Sequence, residues 1–214
     1  MDKELERRYM QCEVRAQENE RGAMITGRPV VYDSRTNLGW FDEIIQKGAL
    51  IGTDLRDVRL LVNHDFSMIP LARSRRNNGN STMTLFVDDN GLGFEAFVDI
   101  ENNARAKELY SAVQRGDISG MSFAFSIDSQ TWDDLKSDHP TRTINKIASI
   151  VELSACTFPA YEATEIYARS DSDALESARK ALERAREERA NSLESEKKRL
   201  ELLKIKAKAL KTWR

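Results

Sequence analysis

The last part of the chain, residues 170–214, contains neither proline nor glycine and is dominated by Ala, Glu, Lys, Arg and Leu. Because these are strong helix formers and no helix breaker interrupts them, the segment predicts one long helix. Its apolar residues form an imperfect heptad-like stripe at Leu175, Ala178, Leu182, Ala185, Leu193, Leu200, Leu203 and Leu210. The stripe favours a coiled coil or a partner-binding arm over a solvated single helix. We therefore expect a domain over residues 1–169 and a helical tail over 170–214.

The preceding residues have a different pattern, in which short apolar runs alternate with turn residues. This pattern is typical of half-buried β-strands. The predicted strands cover residues 11–16, 23–32, 58–62, 69–73, 82–87, 93–99, 119–127 and 146–158. Two helices are predicted among them, at residues 41–50 and 102–114, the second preceded by cap-type asparagines and ended by Gly116. A β-meander or β-barrel with flanking helices fits this order.

Composition limits the function classes. In 214 residues, 32% are charged but the formal net charge is only −2, so charge gives no general attraction to nucleic acid or anionic lipid. No segment approaches the roughly 18 uninterrupted apolar residues of a membrane span, and the first residues are charged where a signal peptide is apolar. Cys12 and Cys156 lack the spacing of metal or redox motifs, so we expect free thiols in an intracellular protein.

The stretch GDISGMSFAFSI places two serines at the entry to an aromatic strand. Strand alternation puts Ser122 on a face with Ala124 and Ser126, where small side chains leave room for a substrate or a partner side chain. Close packing of two layers would explain the same small residues. Ser119 remains the alternative nucleophile, because the strand's first residue cannot be established from the pattern.

Serine hydrolysis also needs a base and a group that orients the base. His64 ends the apolar run RLLVNHD, where a strand would deliver a polar group to an edge, whereas His139 lies in a polar loop. Glu152 stands in an apolar strand, where an ionised carboxylate is costly without a partner. Simpler interpretations are that Asp65 or backbone satisfies His64, and that Glu152 faces water.

Other chemistries have less support. The chain has no GxSxG elbow, HExxH motif, P-loop or CxxC pair. A metal site could be imagined from His64 and Asp65 with Asp89 or Glu95, but these residues lack a defined ligand spacing. We therefore expect neither a metal nor another cofactor.

Four motifs taken in order resemble the prohead, or capsid-maturation, serine proteases of tailed bacteriophages. They are VRLLVNHD, DDNGLGFEAFVD, ELYSAVQRGDISGMSFAF and IVELSACTFPAYEATEI, and the resemblance covers about residues 14–170. One departure is visible, because Ala124 stands where the family usually has glycine, on the side of Ser122. This substitution predicts a slightly narrower pocket and leaves the nucleophile unchanged.

The resemblance implies a fold and a triad. Such enzymes look related to herpesvirus assembly proteases, which implies an α+β fold with a small, mostly antiparallel β-barrel flanked by helices. It further implies that Ser122 is the nucleophile, His64 the general base and Glu152 the third member, with Asp65 as its competitor. Backbone N–H groups would bind the oxyanion, and the loop at residues 158–165 is one place to look for them.

The resemblance also implies partners and a location. The expected substrate is the scaffold portion of the phage's major capsid protein precursor, cut inside the assembling procapsid in the host cytoplasm. Self-cleavage is expected near residues 168–173 or in the tail, and the tail could pair with scaffold helices or with a second copy. A non-catalytic assembly module and a metal-dependent hydrolase are the competing functions. The sequence leaves open the cleavage-site sequence, the oligomeric state and whether the full-length chain is a zymogen.

Overall fold

A computed structural model describes residues 5–12, 14–157 and 172–211. It has an α+β architecture with two sheets and two helices. The strands are β1 Glu6–Gln11, β2 Val14–Asn19, β3 Gly22–Val31, β4 Arg35–Asn37, β5 Asp42–Ile45, β6 Arg59–Val62, β7 Ala72–Arg73, β8 Met83–Asp88, β9 Gly91–Phe97, β10 Gly120–Asp133 and β11 Thr141–Cys156. The helices are α1 Ala104–Arg115 and α2 Ser172–Lys211.

The larger sheet has seven strands and is mixed. Its main order is β1-β10-β11-β5-β4, while β6 pairs with the other half of β11 and carries β7 on its far side. β5 and β6 run parallel to β11, and the remaining pairs in this sheet are antiparallel. The smaller sheet is antiparallel, in the order β2-β3-β9-β8. In the described ranges these pairings show no closed barrel, so the predicted barrel is not confirmed, although the α+β class and the long C-terminal helix are.

The main core contains residues from both sheets and α1. Its completely buried aromatic residues are Phe94, Phe123 and Phe125. Helix α1 forms where the sequence predicts it, since the Asn103 side chain caps two N–H groups and Gly116 ends it with a φ of 80°. Ala106, Leu109, Tyr110 and Val113 give α1 its buried face.

The helix predicted at residues 41–50 is wrong. Its first part is the strand β5, where Glu43 and Ile45 are buried, and Phe41 directly before the strand continues this period of two. The pattern was misleading because Glu43 looks like a solvent-facing residue. In the fold, Glu43 is 3% exposed and is paired with Arg8 and Arg142, so a charged residue occupies an inward position.

The other boundaries differ mainly where pairing extends or divides a strand. The strand predicted at residues 11–16 is replaced by β1 and β2, which join different sheets. β10 and β11 are longer than predicted because they pair along most of their length. The prediction at 69–73 is reduced to the two-residue strand β7.

Helix α2 has two different parts. Ala178 and Leu182 are buried and form a small cluster with Phe41, so this section of the apolar stripe packs on the rest of the chain. Every side chain from residue 186 to 206 is exposed, including those of Leu193, Leu200 and Leu203. No described helix is long and apolar enough to cross a lipid bilayer.

Candidate active site

The turn after β6 presents His64. Asn63 and His64 both have positive φ values, 50° and 55°, a left-handed conformation that Asn and His adopt more readily than most residues. The turn is fixed by hydrogen bonds from the Asn63 N–H to the Ala155 carbonyl (3.0 Å) and from the Thr157 N–H to the Asn63 side chain (3.0 Å). The chain therefore reverses beside β11, and the imidazole is directed to the same face as the side chains described next.

Sheet register places three polar residues together. Ser122 on β10 pairs with Ser154 on β11, and Ala124 pairs with Glu152 two residues earlier. Because side chains alternate along a strand, these four residues share one face of the sheet. The three polar ones are each 0% exposed, and His64 is 9% exposed.

A continuous chain of contacts joins Ser122, His64 and Glu152. The Ser122 Oγ lies 2.5 Å from His64 Nε2, and His64 Nδ1 contacts Glu152 Oε1. The imidazole is thus held between a hydroxyl and a carboxylate, one at each ring nitrogen. This order can move a proton away from the hydroxyl and stabilise the imidazolium that results.

Ser154 is a fourth member that the sequence reasoning missed. Its Oγ accepts a hydrogen bond from the His64 backbone N–H (3.0 Å) and donates one to Glu152 Oε2 (2.7 Å). One hydroxyl therefore fixes both the turn that carries His64 and the carboxylate that contacts its imidazole. The available signal was the Glu-Leu-Ser spacing in β11, which puts Glu152 and Ser154 on one face.

The alternative residues lie elsewhere. The Asp65 carboxylate is exposed and accepts hydrogen bonds from the backbone N–H and the hydroxyl of Ser67. Ser119 is exposed and precedes β10, and His139 Nε2 lies 3.0 Å from Asp42 on the surface.

The residues considered for a metal site are not brought together. Asp89 pairs with Lys47, and Glu95 is an exposed residue of the smaller sheet. In the parts of the chain that the structure describes, no group of three His, Cys, Asp or Glu side chains could hold a metal ion.

Strand β1 covers one edge of β10, the strand that carries Ser122. It pairs antiparallel with β10 along residues 120–125, with Tyr9 opposite Ser122. The Arg8 carbonyl accepts a hydrogen bond from Ser122 Oγ at 2.9 Å. The Ser122 hydroxyl has one proton, so the Arg8 carbonyl and the imidazole compete for it.

A buried ion cluster of Glu6, Arg8, Glu43 and Arg142 lies where β1, β5 and β11 meet. Arg8 contacts Glu6 at 2.6 Å and Glu43 at 2.7 Å, while Arg142 contacts the same two carboxylates at 2.8 and 2.9 Å. Burial by itself raises the pKa of Glu6, but the charge of Arg8 and the hydrogen bond from Arg142 outweigh it and lower the pKa to about 2. Removing one partner from such a cluster leaves an uncompensated buried charge.

Surface cavities flank the larger sheet, and two of them lie near β6. One, of about 420 Å³, adjoins the His64 turn and is lined mainly by apolar side chains, among them Val62, Met68, Leu109 and Ile118. The other is a cleft of about 700 Å³ lined by five arginines with Asp54 and Asp57. The side chains of Ser122, His64 and Glu152 line neither cavity, which agrees with their burial under neighbouring elements.

Comparisons with known proteins place the chain in a family. The family model described as caudovirus prohead serine protease matches residues 10–178. The prohead protease of Enterobacteria phage HK97 is 29% identical over 140 residues, which are 64% of this chain and 57% of that protein. The match thus spans little more than half the length of this relative. No solved structure matches the chain.

Proposed function

Because the chain belongs to the caudovirus prohead serine protease family, we propose that it is a serine endopeptidase of procapsid maturation. In this proposal Ser122 is the nucleophile, His64 the general base and Glu152 the carboxylate that orients the base. The observation that carries the proposal is the unbroken series of contacts from the Ser122 hydroxyl through both imidazole nitrogens to Glu152.

Peptide hydrolysis would proceed in two steps. The Ser122 Oγ attacks the carbonyl carbon of the scissile peptide, and its proton passes to His64 Nε2. His64 then gives this proton to the leaving amine, and the C–N bond breaks to leave an acyl-enzyme. In the second step His64 Nε2 removes a proton from water as the water oxygen attacks the ester carbon. The bond from that carbon to Ser122 Oγ then breaks, His64 returns the proton to Oγ, and the carboxylic acid product leaves.

Glu152 contributes through its negative charge. A carboxylate at Nδ1 keeps the proton on that nitrogen, so that Nε2 can accept the serine proton, and it stabilises the imidazolium. Since Glu152 is completely buried, little water screens this interaction. Two backbone N–H groups are needed for the oxyanion, and the loop expected to supply them, 158–165, lies outside the described residues.

The proposed substrate is the scaffold portion of the capsid precursor, with self-cleavage as a second reaction. Both would occur inside the procapsid in the host cytoplasm. Most of the junction proposed for self-cleavage, residues 168–171, is outside the described residues as well. The exposed part of α2 would serve as the arm that pairs with scaffold helices, because its leucines have no cover within the described chain.

The test is co-expression with the capsid precursor, followed by intact mass of both proteins. We expect the wild type to shorten the precursor and itself, and Ser122→Ala to leave both whole. Ser126→Ala is the matched control, because Ser126 lies on the same face of β10 but hydrogen-bonds Ser149. Cleavage by Ser122→Ala at the wild-type rate would overturn the nucleophile assignment. Absence of cleavage by every form in assembled shells would favour the non-catalytic assembly module.

The same assay separates the two candidate carboxylates. Glu152→Gln should lower the rate by two to four orders of magnitude, since it removes the charge at Nδ1. Asp65→Asn should leave the rate within about twofold, because the Asp65 carboxylate contacts Ser67 and is exposed to water. The reverse ranking would assign the orienting role to Asp65.

A further inference from the structure

The edge of β10 that faces away from β11 is occupied by β1. The two strands form six antiparallel residue pairs, from Glu6 opposite Phe125 to Gln11 opposite Gly120. β1 is the last strand of the sheet on this side. Without it, β10 would present an open edge of N–H and C=O groups that includes the backbone of Ser122, and such an edge binds extended peptides by strand addition.

The contact of β1 with the nucleophile is unproductive. Ser122 Oγ donates to the carbonyl oxygen of Arg8, whereas attack on a peptide requires the hydroxyl oxygen to approach the carbonyl carbon while its proton goes to the base. A peptide held in this way remains intact and diverts the serine proton from His64. Together with the 0% exposure of Ser122, this describes an occupied site.

Tyr9 fills the space beside the serine. Its side chain is 2% exposed and lies over Gly120, where a Cβ would come within 1.5 Å of Tyr9 Oη and 2.2 Å of Cζ. Glycine is therefore required at position 120 to make room for the ring. The position directly opposite Ser122 can accordingly accept a side chain as large as tyrosine.

The ion cluster holds β1 in place. Glu6 and Arg8 belong to β1, while Glu43 and Arg142 belong to β5 and β11, so the contacts between these pairs cross from the strand to the sheet. Helix α2 also contacts β1. The ion pairs use side chains, so a peptide that lacked them could still form the backbone ladder with β10.

We propose that residues 120–125 of β10 form the binding site for the peptide substrate in an extended conformation, and that Glu6–Gln11 is the intrachain segment that blocks it. The substrate would add as an antiparallel strand in place of β1, with a side chain over Gly120. The segment must leave before a substrate can bind, so the chain is latent until Glu6–Gln11 is displaced. This inference rests on the proposed role of Ser122.

The experiment cleaves the backbone directly after the blocking segment. A recognition site for an unrelated protease is inserted after Cys12, and the folded protein is then cut and diluted. The readout is the rate at which a fluorophosphonate labels Ser122, followed by intact mass, which needs no natural substrate. The matched control carries the same insertion in the β2–β3 turn at Glu20 and Arg21.

We expect labelling to become at least tenfold faster once the fragment is released. Cleavage turns the covalently attached segment into a separate peptide, and dilution lowers its concentration at the site. A synthetic peptide of residues 1–12, added back, should slow it again, and cutting the control should change nothing. The proposal is overturned when a cut, folded protein that has lost its fragment is labelled at Ser122, but no faster than the intact chain.

Two further variants distinguish failure of this proposal from failure of the proposed function. If the cut protein unfolds, the uncut variant Gly120→Ala is used instead, because the added Cβ excludes the Tyr9 ring and so weakens the pairing of β1 with β10. Faster labelling of this variant supports the proposal, and labelling at the wild-type rate overturns it. Ser122→Ala must not be labelled in any form. If cut and intact proteins both fail to react while remaining folded, it is the proposed function that fails.

Discussion

Replacing Ser154 with alanine tests whether one hydroxyl positions the proposed base, His64, and its carboxylate, Glu152, together. The change removes the donor to Glu152 Oε2 and the acceptor of the His64 N–H, both in a fully buried setting. A hydrogen bond to a charged group contributes about 1.5–3 kcal/mol, and about 1.4 kcal/mol corresponds to tenfold in rate. We therefore expect kcat to fall by about 10- to 100-fold, with KM little changed, because Ser154 does not contact substrate in this mechanism.

Stability should fall as well. Ser154→Ala leaves a buried N–H and a buried carboxylate oxygen each short of one partner, which costs about 2–4 kcal/mol in the free energy of unfolding. Urea unfolding measures this, and peptide cleavage by the cut form described above gives kcat and KM. Ser126→Ala is again the control, since it removes a strand serine whose partner is Ser149. The positioning role is refuted by a folded Ser154→Ala whose kcat stays within twofold of the Ser126→Ala value.

Two further predictions concern the ion cluster and the tail. Because the pKa of Glu6 is about 2 rather than 4.5, its contribution of about 3 kcal/mol is complete above pH 4.5 and is lost as the pH falls toward 2. Urea unfolding at several pH values should show this loss in the wild type. In Glu6→Gln the free energy of unfolding should depend less steeply on pH, and an equal pH dependence in the two proteins would contradict the prediction. Removing residues 191–214 should leave the melting temperature nearly unchanged, since the described side chains there are exposed, but should abolish packaging into procapsids while sparing peptide cleavage. Packaging of the shortened chain at the wild-type level would refute the proposed arm.

The local sequence pattern was sufficient to predict an element where residues close in the sequence decide its structure. Helix α1 was predictable because Asn103 and Gly116 mark its ends and its apolar face repeats every three to four residues. The aromatic alternation around Ser122 likewise identified β10 and the face on which the serine lies. Both signals depend on backbone conformation within a few residues.

The sequence pattern was insufficient where a contact with a residue distant in the sequence decides the structure. A helix was predicted at residues 41–50, whereas the segment begins with a strand in which Glu43 points inward. Only Arg8 and Arg142, from strands distant in the sequence, make this inward position stable. The role of Ser154 was invisible for a related reason, since a serine in an apolar strand is ordinary until the turn at His64 is placed beside it. The cover over Ser122 depends on β1, which begins more than a hundred residues earlier.

The sequence by itself determined the α+β class, the long helix and the family, and it supplied Ser122, His64 and Glu152 as candidates through motif order. Only the tertiary structure decided that their side chains meet, that Asp65 points away and that the serine is covered. The physical reason is that strand register and the His64 turn are set by long-range pairing and burial. A shift of one residue in either strand would send these side chains to opposite faces of the sheet.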